Sequence, residues 1–564
     1  MLDFFSSSAV FICFDLFSGV KSFILCIVCA GKMSMGPTQC DEVTEVVCLE
    51  SDLQDGQMKE VEVNHHKIVL VRNEGKFSAV GGLCTHYGAP LIKGALVGNR
   101  VRCPWHGACF NTTTGDIEEY PGLDSLPTYK VCLKSLTLWK LRKLTQCRII
   151  LGCISSCPMF MCLWCSTGPA SLQCAETLRQ NNYGGRIIIV TKDEQLPLDK
   201  TKLSKAMNIE VEKILLRPSD FLQQHGIEVL KEKEVVSVNT EAKTVAFNDG
   251  TSQHYDQLLI STGARSVPFI VSCPGAEMEN VKLLESYKDA AGIYQMSLGK
   301  KAVIIGTSFI GMEVAAYLSD KAASVAVVGK SKFPYQFSLG PDIGKMTMKM
   351  LEEKNVKFYM SSDVAEMRGV KGRVKEIVLQ NGDVLPADVV IVGIGVIPNS
   401  HFLKGSAVEV DSRNAVVVDK FMKTNIPDVF AAGDVASFPL CIREDKRVQI
   451  GHWQLAQAHG RVAALNMLNK QTELNSVPFF WTVLLGKSIR YTGYGEGYTD
   501  IVFKGNVDER KFLAFYMKGD DVVAAASLNF DPAVAKVAEI MATGKKITKS
   551  QAETEVEWNS GTLE

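Results

Sequence analysis

The chain has 564 residues, of which 46% are hydrophobic and 22% are charged. At about 150 residues per domain this length predicts three or four domains, and the composition excludes a collagen, a disordered tail and a polytopic membrane protein. Lysine and arginine number 61 against 62 aspartates and glutamates, so the net charge of −1 predicts no nucleic-acid partner.

The first 40 residues are predicted to be a leader that precedes the folded domains. Residues 9–30 are mostly apolar, but Asp15 and Lys21 help to divide them into two runs, each shorter than the roughly 20 residues that a spanning helix needs. Arg72 is the first arginine, which argues against an Arg-rich mitochondrial transit peptide. A weak anchor and an untranslated leader are both left open, and so is membrane association. The 17 scattered cysteines favour a reducing compartment.

Four potential metal ligands lie in two loops of a small all-β domain predicted over residues 41–146. The loops read Cys84-Thr-His86 and Cys103-Pro-Trp-His106, so each supplies one thiolate and one imidazole. The alternatives are zinc, whose structural sites usually pair two cysteines in one knuckle, and plain packing of buried side chains. The arrangement resembles the Rieske signature, which implies that Cys84 and Cys103 bind one iron of a [2Fe–2S] cluster and His86 and His106 the other.

A strand, a glycine turn and a helix are predicted in residues 301–318. The turn is a Gly-x-Ser-x-x-Gly version of the dinucleotide fingerprint: Gly306 makes the tight turn, Gly311 allows the helix to pack closely, and Ser308 stands where the backbone meets a pyrophosphate. The next strand is followed by residues 329–332, Gly-Lys-Ser-Lys, rather than by Asp or Glu. NADH and NADPH are therefore both left open as the electron donor.

An earlier dinucleotide fold is predicted from a helix over 168–179 and a strand over 186–190. Its phosphate turn keeps one glycine, Gly168, and has serines, Ser166 and Ser171, at the other two glycine positions. This altered turn leaves open whether the fold binds its cofactor.

The apolar, Cys-rich stretch 147–165 would have to supply the first strand of that fold. A divergent strand, a membrane-seeking insertion and a wrongly joined coding segment are three explanations for it. We favour divergence or misjoining, because residues 159–164 can still form a buried strand and a membrane span here would split one sheet. A metal site at Cys162 and Cys165 is not expected, since no partner pair follows.

Further motifs resemble those of a known family. Residues 261–265, 393–399 and 426–435 resemble, in this order, motifs of the FAD- and NAD(P)-binding pyridine nucleotide oxidoreductases, and residues 203–205, 451–453 and 478–481 fit their ferredoxin-reductase-like branch. With the Rieske-like region in front, the chain resembles the Rieske-containing members of the apoptosis-inducing factor family. No Cys-x4-Cys pair follows the first helix, so a thiol relay is not expected.

The resemblance implies a multidomain fold. After the all-β Rieske domain come an α/β, Rossmann-like FAD-binding domain (158–285 and 413–475), an inserted α/β, Rossmann-like NAD(P)-binding domain (286–412) and an α+β C-terminal domain (476–564). Asp434 is expected at the flavin ribityl chain, Lys205 and Trp481 beside the isoalloxazine, and Glu313 near the nicotinamide. The implied cofactor-binding residues are Gly168, Pro169, Ala170, Lys205, Thr262, Gly263, Asp434 and Trp481 for FAD, and Gly306, Ser308, Gly311, Glu313 and Gly395 for NAD(P).

These observations predict an NAD(P)H-dependent flavoprotein that passes electrons through FAD to the Rieske cluster and on to an acceptor, a small molecule or a redox protein. No side chain is expected to act as a nucleophile or general base. The alternative is a redox-sensitive regulatory scaffold with little turnover, and a reductase partner of a Rieske oxygenase is a third interpretation. The family resemblance favours the cytoplasm or the mitochondrion.

Overall fold

The computed structural model describes residues 24–30, 42–134, 161–165, 168–269, 273–554 and 558. Two compact units make up the chain: Met1–Gly82 with Pro127–Thr145, and Leu83–Leu126 with Gln146–Glu564. The predicted Rieske segment is therefore divided between the two units. Residues 83–126, which carry the two ligand loops, belong to the larger unit, and the rest of the segment belongs mainly to the smaller one. Most of the predicted leader and the end of the predicted Rieske domain, residues 135–146, lie outside the described residues.

All strands of the N-terminal region pair in an antiparallel manner. The smaller unit is one six-stranded sheet in the order β2-β1-β10-β5-β4-β3, and strands β6 to β9 form a four-stranded sheet in the larger unit. Part of the predicted leader, strand β1, pairs with β2 and β10. The strands are β1 (Ile24–Ala30), β2 (Glu42–Leu49), β3 (Gln57–Val63), β4 (His66–Asn73), β5 (Lys76–Gly81), β6 (Ala95–Val97), β7 (Arg100–Arg102), β8 (Cys109–Asn111), β9 (Ile117–Glu119) and β10 (Thr128–Lys134).

The predicted helix and strand of the first dinucleotide fold are confirmed. Strand β11 also forms at the place predicted for it in the Cys-rich stretch, and β12 and β17 flank it in parallel. This part contains β11 (Met161–Cys165), α1 (Pro169–Gln180), β12 (Arg186–Val190), α2 (Ser219–Gln224), β13 (Ile227–Leu230), β14 (Val235–Asn239), β15 (Thr244–Phe247), β16 (Ser252–His254), β17 (Gln257–Ile260) and β18 (Ala264–Ser266).

The second dinucleotide fold is inserted after these elements. Its parallel sheet has the order β19-β26-β20-β21-β22, and its strands are apolar because helices and other strands cover both faces. The elements are β19 (Val281–Lys282), α3 (Tyr287–Ser297), β20 (Lys301–Ile305), α4 (Phe309–Leu318), β21 (Ser324–Gly329), α5 (Pro341–Glu352), β22 (Lys357–Met360), β23 (Val364–Val370), β24 (Arg373–Leu379), β25 (Val384–Pro386), β26 (Val389–Val392) and β27 (Val396–Pro398).

The chain then returns to the first fold. Strand β29 completes its parallel sheet, which has the order β13-β12-β11-β17-β29, and helix α6 packs on α1. The returning elements are β28 (Val416–Val417), β29 (Val429–Ala431), β30 (Ala436–Leu440), β31 (Lys446–Val448) and α6 (Trp453–Met467).

The C-terminal domain is α+β, as the sequence predicts. Helix α7 buries Val534 and Val537 against an antiparallel sheet of order β32-β33-β36-β35-β34. No helix in the described ranges is both long and apolar enough to span a bilayer. The elements are β32 (Phe479–Leu484), β33 (Lys487–Gly493), β34 (Asp500–Asn506), β35 (Lys511–Lys518), β36 (Asp521–Leu528), α7 (Ala533–Ala542) and α8 (Lys549–Glu553).

Candidate functional site

The two cysteine- and histidine-bearing loops have the same backbone turn. The N–H of Cys84 donates to the carbonyl of Ala89 at 2.9 Å, and the N–H of Cys103 donates to the carbonyl of Ala108 at 2.7 Å. The glycine four residues after each cysteine has a positive φ, 73° in the first loop and 81° in the second, which other residues rarely adopt. Two local sequences with the same spacing of cysteine and glycine therefore fold alike.

The loops bring the like ligands together in pairs. The pKa of the Cys84 thiol is raised by its hydrogen bond to Cys103 and by burial, whereas the hydrogen bond with Cys84 lowers the pKa of Cys103 despite its burial. The imidazole rings of His86 and His106 lie edge to face with their centroids 4.9 Å apart. Burial lowers the pKa of both histidines, that of His86 to about 4, so the imidazoles are neutral, as metal binding requires.

This pairing fits a binuclear cluster better than a single zinc ion. A Rieske cluster needs two protein ligands for each iron, whereas a zinc ion would draw all four side chains around one point. The buried Nδ1 of His86 also has no hydrogen-bond partner in the described part of the chain, so it is free to act as a ligand.

Two buried arginines hold the second loop against the C-terminal domain. Arg102 is fully buried, donates to the carbonyl of Gly107 at 2.9 Å and forms an ion pair with Glu539 on α7. Arg490 on β33 donates to the carbonyl of Trp105 at 3.1 Å. The cluster loop is thus fixed through its own backbone to the reductase part of the same unit.

The indole of Trp481 lies directly against the histidine pair. Its ring centroid is 4.2 Å from that of His106 and 5.7 Å from that of His86, and on another side it is 5.3 Å from the ring of His452. Only 6% of Trp481 is exposed. The family resemblance predicts Trp481 beside the flavin, and the structure adds its contact with His86 and His106, the predicted imidazole ligands.

Three domains meet at Glu313. Its buried carboxylate, from α4 of the inserted domain, forms an ion pair with Lys205 at 2.8 Å. Thr482 of the C-terminal domain donates to the same carboxylate at 2.7 Å, and Ser204 donates to it at 2.5 Å. The structure therefore brings together Lys205 and Glu313, which the family resemblance predicts at the flavin and nicotinamide sites, and adds two hydroxyl donors.

The altered phosphate turn still leads into a well-formed helix. Gly168 is the N-cap of α1, and Pro169 fixes the first helical φ. A Cβ at Gly460 of α6 would lie 2.1 Å from the carbonyl oxygen of Ala170, so the two helices cross in close contact. The N-terminus of a helix is the kind of site that binds a pyrophosphate.

Asp434 and Thr262 lie at two further parts of this fold. Burial raises the pKa of Asp434 to about 6, and the preceding Gly433 donates its N–H to Nδ1 of the buried His459 at 3.1 Å. Thr262 donates to the carbonyl of Asn399 at 2.6 Å and lines a cleft of about 470 Å³. Gly263, with φ of 68°, follows it. The volume of this cleft lies within the range of about 300–1,000 Å³ that small-molecule sites have.

The turn of the inserted domain shows why its residues are small. A Cβ at Gly306 would lie 2.2 Å from the carbonyl oxygen of Gly393, and one at Gly311 would lie 2.3 Å from that of Gly306. The hydroxyl of Ser308 donates to Gly393 at 3.0 Å instead of capping α4, which leaves the helix N-terminus open. Gly395, with φ of 112°, follows on the same loop.

Residues 167–460 match the family described as pyridine nucleotide-disulphide oxidoreductase. The chain belongs to this family. Residues 44–130 match the Rieske [2Fe-2S] domain, and residues 479–557 match the reductase C-terminal domain. The chain is 46% identical to human (Homo sapiens) apoptosis-inducing factor 3 over 92% of its own length and 87% of that protein. It is 30% identical to rhodocoxin reductase of Rhodococcus erythropolis, covering 68% of this chain and 90% of that one.

A solved relative supports the fold. The ferredoxin reductase for the CYP199A2 system of Rhodopseudomonas palustris superposes with a TM-score of 0.67 at 26% identity, over 71% of this chain and 98% of that one. This member of the oxidoreductase family is therefore an NAD(P)H-dependent flavoprotein with a Rieske [2Fe–2S] cluster, in which electrons pass from NAD(P)H through FAD to the cluster. The roles of individual residues stay predictions.

Sequence reasoning missed the residues that join the parts of the site. Arg102, Arg490 and Glu539 look like ordinary surface charges in the sequence, and their partners are distant along the chain. A local signal existed only for Thr482, which directly follows the recognised motif ending in Trp481.

Proposed function

We propose that the electrons reach the cluster within one chain, and that Trp481 connects the flavin site with the histidine ligands. The contact that supports this is the 4.2 Å separation of the Trp481 and His106 rings inside one compact unit. Cys84 and Cys103 would hold one iron, and His86 and His106 the other. An internal Rieske domain would then take the part that a separate ferredoxin plays for a ferredoxin reductase.

The chain's own residues would prepare the donor side of this relay. The ion pair between Lys205 and Glu313 fixes a cation and an anion where the FAD, NAD(P) and C-terminal domains meet. Gly168 to Ala170 and Asp434 would bind FAD, and Gly306, Ser308 and Gly311 would bind the pyrophosphate of the nicotinamide nucleotide. FAD, when bound, accepts a hydride as two electrons and releases them singly.

The final acceptor is proposed to be a one-electron carrier, either a small molecule or a small redox protein. His106 is only 8% exposed in the described structure, so an acceptor would not reach the cluster through this imidazole. The cytoplasm and the mitochondrion stay predictions for the compartment.

The relay can be tested by mixing the purified chain anaerobically with NADH or NADPH while recording flavin absorbance and electron paramagnetic resonance. We expect the flavin to bleach and a Rieske signal to appear at a rate that does not depend on protein concentration. Trp481→Leu should slow the appearance of the Rieske signal relative to flavin bleaching. Trp558→Phe, which keeps an aromatic ring against Phe515 in the core of the C-terminal domain, should leave the ratio of the two rates unchanged. A Rieske signal whose rate rises with protein concentration would contradict transfer within one chain. No flavin reduction at all would favour the scaffold alternative.

A further inference from the structure

The loop after β21 carries positive charge where a fold specific for NAD carries an acid. An Asp or Glu at the end of the second strand normally binds the ribose hydroxyls of NAD, and a cationic side chain nearby accommodates the 2′-phosphate of NADP. Here β21 ends at Gly329, and Lys330, Ser331 and Lys332 follow. The segment 329–340 contains no Asp or Glu.

The side chain of Thr307 leaves little room for a side chain at position 329. A Cβ at this position would lie 2.5 Å from Cγ2 and 3.1 Å from Oγ1 of Thr307 in the phosphate turn, and 3.3 Å from Cε of Met360. The first distance is shorter than real contacts of a Cβ atom. An aspartate or glutamate could therefore enter only if the side chain of Thr307 moved away.

Hydrogen bonds fix the backbone of the lysine loop. Ser361 donates its N–H to the carbonyl of Ser331 at 3.0 Å, and the N–H of Lys332 donates to the side-chain oxygen of Gln336 at 3.1 Å. The hydroxyl of Ser331 donates to the carbonyl of Phe333 at 2.8 Å, so it is already used. The loop thus presents its two lysines from a defined backbone position.

The two lysines differ in their partners. Lys330 forms an ion pair with Asp363 at 2.8 Å, which compensates the acid that lies beside the loop. Lys332 is exposed and makes no ion pair with any described residue; its ammonium lies 5.5 Å from the ring of Phe333. The uncompensated charge of this loop is therefore that of Lys332.

We propose that Lys332 binds the 2′-phosphate of NADPH, so that this chain uses NADPH in preference to NADH. The inference rests on the proposed function, because it names the donor for the same nucleotide fold. Lys330 supports the binding by neutralising Asp363, which would otherwise repel the phosphate. A compact, flexible ammonium meets a phosphate as a point charge, so its contribution is sensitive to salt.

The test is calorimetric titration of the full-length holoprotein with 2′,5′-ADP and, separately, with 5′-ADP. We expect 2′,5′-ADP to bind at least about tenfold more tightly, as one charge-assisted hydrogen bond provides, and the difference to shrink as salt is added. Lys332→Glu should abolish the difference. Lys357→Glu is the matched control, because this exposed lysine starts β22 at the end of the sheet away from the loop and should leave the difference unchanged.

Flavin reduction by NADPH and NADH provides a second measurement, and we expect faster reduction by NADPH at equal, subsaturating concentrations. Equal binding of the two ADP probes, or a preference that survives Lys332→Glu, would overturn the proposal even if the flavin were reduced. Failure of both nicotinamide nucleotides to reduce the flavin would overturn the proposed function instead, and the ADP titrations would still decide the role of Lys332.

Discussion

The fully buried guanidinium of Arg102 forms an ion pair with the carboxylate of Glu539, two residues that are 437 positions apart in the chain. Arg100 contacts the other oxygen of this carboxylate at 3.1 Å, and Glu119 pairs with both arginines at 2.9 and 3.0 Å. Burial opposes ionisation of Glu539, but Arg102 and Arg100 lower its pKa below the usual value. The network is therefore charged. It joins β7 and the ligand loop that follows it, residues 103–107 (together the cluster-loop region), to helix α7.

Removing the charge of Glu539 should loosen the cluster-loop region. Glu539→Gln leaves the buried Arg102 and the half-buried Arg100 with one carboxylate fewer, and losing one partner of a buried pair costs about 3–5 kcal/mol. We expect a lower melting temperature and slower reduction of the cluster, with flavin reduction by NAD(P)H unchanged. Thermal unfolding and stopped-flow absorbance would measure these effects. Glu353→Gln, which removes an exposed partner of Arg510, should leave both quantities at their wild-type values. An unchanged melting temperature for Glu539→Gln would contradict this role.

Loss of one thiol should remove the cluster and spare the flavin. Cys103→Ser replaces a buried thiol of the paired set, so we expect the Rieske signal to disappear while NAD(P)H still bleaches the flavin. Cys441→Ser, a half-buried thiol outside the two loops, should retain both signals. Iron content and flavin absorbance would report the two sites separately. A normal Rieske signal in Cys103→Ser would exclude this cysteine as a ligand.

Stability should fall as the solution is acidified below neutral pH, because His459 is buried without its proton. Burial lowers its pKa to about 3, so below its unfolded value of about 6.5 the unfolded chain binds a proton that the folded chain does not. Between pH 7 and pH 5 this linkage removes about 2 kcal/mol of stability. His459→Gln keeps an acceptor for the N–H of Gly433 but does not titrate. The difference in melting temperature between pH 7 and pH 5 should therefore be smaller in this variant, and an equal difference would refute the assignment.

Local patterns predicted the elements that carry the phosphate turns, and long-range packing accounts for what was missed. The strand, Gly306 turn and helix α4 each follow from periodicity within about ten residues, and α1 and β12 form where predicted. The contact of Trp481 with His106 joins residues that are hundreds of positions apart, so the sequence shows no periodic pattern for it. The same holds for the division of the Rieske segment between the two units. Buried charges such as Arg102 are equally hidden, because a sequence shows a charge but not its burial.

The close crossing of α1 and α6 gives a steric test of the FAD phosphate turn. Both Gly460 in α6 and Gly292 in α3 lie inside helices, where alanine is normally better than glycine by about 0.5–1 kcal/mol. A Cβ at Gly292 meets no atom within 4 Å, whereas one at Gly460 would lie 2.1 Å from the carbonyl oxygen of Ala170. Gly292→Ala should therefore raise the melting temperature slightly and retain FAD. Gly460→Ala should push α1 away and weaken FAD binding, seen as a lower flavin-to-protein absorbance ratio after gel filtration. Full flavin content in Gly460→Ala would show that the turn tolerates this displacement and that α1 does not position FAD through this contact.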